Sequence, residues 1–272
     1  MNTNKKALWI VGDSFATFDR SDGTHWINYF AKHKGCEVVY NLARGGFDTK
    51  AICFTGKEII SNRPWPGRTI EQEFNRDQDI IVVFSTMPDR VCHKAFLDSE
   101  FKTQDSIANL NWYVPGLVWF DKHGNPQGDQ EPMPWQEHMP QVPAMYSQNL
   151  SSILELERME QNTEQDINYI ENILLYHDWQ WEEQITDLMI HGLYHYHETH
   201  STGSEMWITG NCSQKRPGVN YIPCVGDYQR DGLMPNQPPA DEICEYNEQT
   251  LVNHHTPEDH NVFWELLKPT LV

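Results

Sequence analysis

Three short runs bring together residue types that can do acyl chemistry. The first is Gly12-Asp13-Ser14-Phe15, directly after the apolar run of residues 7–12. A serine on a turn after a strand can expose its hydroxyl and its own backbone N–H together. The alternative is a plain turn, since Gly, Asp and Ser are common in turns for conformational reasons. The second is Asn41-Leu42-Ala43-Arg44-Gly45-Gly46. Paired glycines let a backbone approach a ligand closely, and an N–H there can face a developing oxyanion. The alternative is a turn before a helix that needs glycine for its dihedrals. The third is Asn253-His254-His255-Thr256-Pro257-Glu258-Asp259-His260. A loop histidine at a helix start can reach across a sheet edge and take a proton from Ser14. The alternative is a set of surface histidines, as most of the 13 in the chain would be.

Taken together, in this order, the three runs resemble the blocks of the SGNH hydrolases, also called the GDSL esterases and lipases. The likeness covers roughly residues 5–90 and 200–272, and lies closest to phage- and bacterial-type members. It implies a three-layer α/β/α sandwich and ester hydrolysis without metal or organic cofactor. It makes Ser14 the nucleophile and His254 the base, with His255 and His260 as bystanders. It assigns the N–H groups of Ser14 and Gly46 to the oxyanion hole, because Gly46 stands five residues after Asn41. The substrate class it implies is a small-molecule or carbohydrate O-acyl ester.

Two positions depart from the family pattern. The family offers an Asn side chain to the oxyanion after the third strand, whereas this chain reads Ser85-Thr86-Met87-Pro88-Asp89-Arg90. Some members carry Thr or Ser followed by Arg there, which makes Thr86 a candidate third oxyanion donor. Arg90 and Asp13 are auxiliary candidates. The family also places a carboxylate two or three residues before its histidine, and those positions here are Val252 and Leu251. Such an acid normally orients the imidazole and stabilises the imidazolium. Its lack from this segment motivates a second expectation, a catalytically impaired SGNH domain with a binding or structural role, for instance associated with a phage particle.

Other motifs exclude themselves. No G-x-G-x-x-G is present, and Thr55-Gly56-Lys57-Glu58 lacks the remaining residues of a phosphate-binding P-loop. Gly12-Asp13-Ser14-Phe15-Ala16 nearly fits the nucleophile elbow of α/β-hydrolases, but its serine precedes most of the sheet. His191, His195, His197 and His200 invite a metal reading. At about 100° per residue, His191 and His195 share one helix face while the other two point elsewhere. The zincin pattern needs Glu after the first His, and Gly192 stands there. A helix end carrying cationic caps near its C-terminus is the preferred reading, and no metal site is expected.

Positioning the three runs takes alternating strands and helices. Residues 7–12, 37–42 and 79–85 read as strands, the third nearly all apolar and so central. Residues 24–34 show helical spacing that Gly35 stops, and residues 49–60 read as a helix ended by Pro64 and Pro66. This alternation implies a parallel sheet of about five strands, in the flavodoxin-like order, with right-handed crossovers. Residues 205–209 supply a fourth strand. Residues 151–200 read as two helices, the second over 181–196. Residues 257–271 form a closing helix, with Thr256 as cap and Pro257 at its first position. The whole of residues 1–272 reads as a single domain with insertions at about 91–150 and 211–250. The first insertion is rich in Pro and aromatic residues, with a small hairpin around residues 119–127. Those aromatics can stack on sugar rings, although packing within the insertion is the commoner cause.

Composition narrows the partners. The 272 residues hold 39 acidic and 20 basic side chains, a formal charge of −19. Such a field repels phosphates and anionic lipid, so nucleic acid is not an expected partner. The 10 Trp, 11 Tyr and 11 Phe exclude a chain that avoids a core. No segment nears the roughly 20 apolar residues that span a bilayer. No secretory signal is legible at the start, so a cytoplasmic chain as synthesised is expected. The six cysteines form no C-x-x-C pair, which fits free thiols in a reducing compartment. Nothing in the sequence sets the oligomeric state.

Overall fold

A computed structural model describes residues 5–13, 16, 25–43, 48–62, 73–86, 91–92, 118–120, 126–127, 147–148, 179–210, 215–234, 244–246, 249–251 and 257–271. Its frame opens with β1 (Ala7–Val11), α1 (Trp26–His33), β2 (Val38–Asn41), α2 (Thr49–Ser61) and β3 (Ile80–Ser85). Four short strands follow: β4 (Val91–Cys92), β5 (Val118–Phe120), β6 (Pro126–Gln127) and β7 (Ser147–Gln148). Then come α3 (Trp179–His200), β8 (Glu205–Gly210), β9 (Asn220–Tyr221) and α4 (Val225–Arg230). The chain closes with β10 (Cys244–Tyr246), β11 (Gln249–Leu251), α5 (Pro257–Leu267) and a 3₁₀ turn at Lys268–Thr270.

Five strands run parallel in the order β2-β1-β3-β8-β9, the flavodoxin-like arrangement. Alternation along each strand feeds two cores. Trp9, Val11, Ile81 and Val83 face α2 and α3, meeting Ile52, Ile59, Ile190 and Leu193. Leu8, Ile10, Val82 and Phe84 face α1 and α5, meeting Ile27, Phe30, Phe263 and Leu267. A sheet covered on both faces has no room for polar alternation, which is why β1 and β3 read as unbroken apolar runs.

Local signals set the helix ends. His25 caps α1 by accepting from the Ile27 N–H at 3.3 Å, and Gly35 turns the chain out of it at φ 71°. Asp48 caps α2 by accepting from Ala51 N–H at 2.8 Å. That helix stops at Asn62, before the prolines expected to end it. Asn62 sits in the left-handed region at φ 54° and exchanges two side-chain hydrogen bonds with the backbone of Phe74. Asparagine tolerates that conformation because its short amide can bond locally.

The structure adds two details to the insertions. The hairpin expected around residues 119–127 is present as β5 and β6, but it is not separate from the sheet. β5 adds antiparallel to β2, pairing Val38 with Trp119. The stretch expected as a second insertion, 211–250, contains the fifth parallel strand, β9, which pairs with β8 through Trp207 and Asn220. A two-residue strand has no periodicity to betray it. The first of the two helices expected in 151–200 lies outside the described residues. No described helix is long and apolar enough to cross a membrane.

Candidate active site

In an open parallel sheet, ligands sit beyond the carboxyl ends of the strands, where the order reverses. Here that place is the end of β1, between β2 and β3. Gly12 and Asp13 follow β1, Asn41 ends β2, and Thr86 follows β3. Their packing explains the residue types. A Cβ added to Gly12 would lie 2.6 Å from the Phe84 Cβ and 2.8 Å from the Ala16 Cβ, so only glycine fits. Asp13 is buried, and its Oδ2 accepts from Thr86 Oγ1 at 2.8 Å. The Asp13 carbonyl also accepts from Ala16 N–H at 3.1 Å, closing a tight turn.

Asn41 joins the second block to this turn. Its Nδ2 donates to the Ala16 carbonyl at 2.7 Å, and its Oδ1 accepts from Ala43 N–H at 2.9 Å. Leu42 N–H donates to the Ile10 carbonyl and extends the ladder past β2. Two of the three runs thus meet at the carboxyl edge, through side chains that are themselves buried. Thr86, expected as an oxyanion donor, has its hydroxyl turned to Asp13 in this structure. A hydroxyl has one hydrogen, and that of Thr86 is given to Asp13.

The described part of the third run begins α5 and packs on the cap of α1. His260 lies against His25, the cap of α1, with ring centroids 4.1 Å apart and planes at 41°. Trp26 then packs edge-on against Phe263. The start of α5 is therefore held over the start of α1. His25 drew no attention in the sequence because its partner is far away in the chain. Ser14, Gly46, Arg90, His254 and His255 lie outside the described residues.

The histidines of α3 do other work. His191 and His195, one turn apart on this helix, differ in exposure: His191 is buried and His195 exposed. His191 Nδ1 donates to the Asp187 carbonyl at 2.6 Å, which leaves Nε2 to accept from the Tyr221 hydroxyl at 2.6 Å. That pair ties α3 to β9. His197 is fully buried, and burial holds its pKa below the usual imidazole value. Its Nε2 lies 3.0 Å from Ser204 Oγ. Among the described residues, no three His, Cys, Asp or Glu side chains gather to hold a metal.

Thiol nucleophiles find no support among the described cysteines with perturbed values. Burial pushes Cys36 and Cys53 up to about 12, so neither offers thiolate near neutral pH. No protein-family model, curated protein or solved structure matches the chain.

Proposed function

We propose that the protein is a serine ester hydrolase acting on O-acyl groups. The supporting observation is that Asp13 and Ala16, on either side of Ser14 in the sequence, are bonded to Thr86 and Asn41 at the carboxyl edge of a flavodoxin-ordered sheet. The α5 start, which follows His254 by three residues, packs against the cap of α1, the helix that follows β1, through His260 and His25. In this reading Ser14 Oγ attacks the acyl carbon while His254 takes its proton. The N–H groups of Ser14 and Gly46 hold the oxyanion. Collapse expels the alcohol, which receives the proton from His254, and water then releases the acyl group by the same steps. No metal or organic cofactor takes part. A carbohydrate ester is the preferred substrate class, on the aromatic-rich insertion of residues 91–150.

A second reading is an impaired domain of the same fold with a binding role, such as one in a phage particle. It is favoured by Leu251 and Val252 in place of the family acid and by the commitment of Thr86 to Asp13. A fluorophosphonate probe separates the two. Stoichiometric labelling that disappears in Ser14→Ala supports the hydrolase. No labelling of a folded protein across roughly pH 6–9 overturns it.

A further inference from the structure

The geometry points to Thr86 and Asn41 as positioning residues that clamp the turn of residues 13–16 from both sides of β1. This rests on the reading of Ser14 as nucleophile, because Ser14 lies within that stretch of chain. β1 is flanked by β2 and β3, and each neighbour sends one side chain across to it. From β3, Thr86 Oγ1 donates to Asp13 Oδ2 at 2.8 Å, at the front of the turn. From β2, Asn41 Nδ2 donates to the Ala16 carbonyl at 2.7 Å, at its back. The Asp13–Ala16 backbone bond closes the loop between the two points.

All the anchoring groups are buried: Asp13 is 4 % exposed, Asn41 0 %, Thr86 1 % and Ala16 0 %. Hydrogen bonds shielded from water are stronger and more costly to lose than exposed ones. Asn41 is itself held by Ala43 N–H, so its amide cannot turn away from Ala16. Gly12, wedged against Phe84 and Ala16, removes the slack at the start of the turn. A nucleophile gains most from such fixing when its attack geometry must be right to within an ångström, and a misplacement of that size can cost about 100-fold. Thr86 thus acts through Asp13 and not on the reacting atoms. It occupies the sequence position of the family's oxyanion Asn while doing a different task.

The test uses the full-length protein and the variants Thr86→Val and Thr86→Ser. Valine keeps the shape and removes the hydroxyl, and serine restores it. Two readouts run in parallel: amide hydrogen exchange of the peptide spanning residues 12–17, and the rate of fluorophosphonate labelling. Thr86→Val should exchange at least about tenfold faster in that peptide, with α5 and β3 peptides unchanged, and Thr86→Ser should recover protection. Labelling should slow roughly 10- to 100-fold in Thr86→Val and recover in Thr86→Ser. Unchanged exchange in Thr86→Val overturns the clamp, as does loosening spread evenly over the whole protein. If the wild type takes no label, the hydrolase reading fails, while the exchange data still decide the clamp.

Discussion

At the amino end of the sheet, Ser204, His197 and Glu198 stand together; at the carboxyl end, Ser14 and His254 are the expected pair. Both places hold a serine and a histidine, and the first adds a carboxylate, His197 Nδ1 lying 3.7 Å from Glu198 Oε1, yet hydrogen-bond direction sets the first group apart. Ser201 Oγ donates to the Ser204 carbonyl, and Ser204 Oγ donates to Ser201 Oγ. His197 Nε2, 3.0 Å from Ser204 Oγ, must therefore be the donor. An imidazole nitrogen that carries a hydrogen and donates it in a hydrogen bond to a serine cannot act as the base for that serine. The neighbouring backbone donors are occupied too, since Thr202, Gly203 and Ser204 N–H all donate to the Arg76 carbonyl. A serine, a histidine and a carboxylate in contact are thus a structural knot here. The knot fastens the start of β8 to the turn before β3.

The largest effect separates the two ends by reactivity. Ser14→Ala should abolish fluorophosphonate labelling, and Ser204→Ala should leave its rate within about twofold of the wild type. Loss of label in a folded Ser204→Ala protein would move the nucleophile to the wrong end of the sheet.

The next effect separates them by stability. Asp79, at the amino end of β3, accepts from Ala7 N–H, Asn75 N–H and Trp9 Nε1, each at 2.9 Å. Burial raises its pKa, while these three donors pull it back down. Asp79→Ala leaves three donors without their acceptor, at roughly 1–3 kcal/mol for each that stays buried and unmet. Urea unfolding should register a loss of about 3–5 kcal/mol, among the largest for any single change in this protein. Gly12→Ala at the carboxyl end should cost less, about 1–3 kcal/mol, by forcing Phe84 and Ala16 apart. An Asp79→Ala protein as stable as wild type would show that the amino-end network carries no more weight than the site.

How much of this was legible follows from range and repetition. β3 and the first turn of α5 were readable because a run of apolar residues, or a Pro-Glu-Asp start, carries its own signal. The three chemical runs were readable for the same reason, being contiguous. The Thr86–Asp13 bond, the His25–His260 contact and the addition of β5 to β2 were not. Each joins residues distant in sequence, and single-sequence patterns hold no information about such pairs. Thr86 shows the cost most clearly. Its position after β3 was legible, but the Asp13 carboxylate that takes its hydroxyl hydrogen was not in view. His197 was missed differently. It follows Ile190 and Leu193 at the spacing of one buried face, but as one of four histidines near the helix end it read as a cationic cap, and packing against Phe74 and Ser204 shows that it is buried.

The smallest effect concerns pH, and it again tells the two ends apart. Burial lowers the folded pKa of His197 below its ordinary value of 6.5, so the unfolded chain binds that proton more readily. Where the unfolded state holds more protons, stability rises with pH, and it is lost as pH falls through about 6.5. Asp79 and Asp48 act in the opposite sense and lower on the scale, because burial raises both above 3.8. The folded state then holds the extra protons, and stability falls as pH rises through the window above 3.8. His197→Gln keeps a donor for Ser204 Oγ but cannot be protonated. Its melting temperature should therefore fall less than that of the wild type between about pH 7 and pH 5.5, while Ser14 labelling at pH 7 stays the same. Equal slopes in the two proteins would mean that the buried imidazole does not set the acid limit. The weak point of the fold would then have to be sought at the carboxyl edge, among the groups that hold the turn after β1.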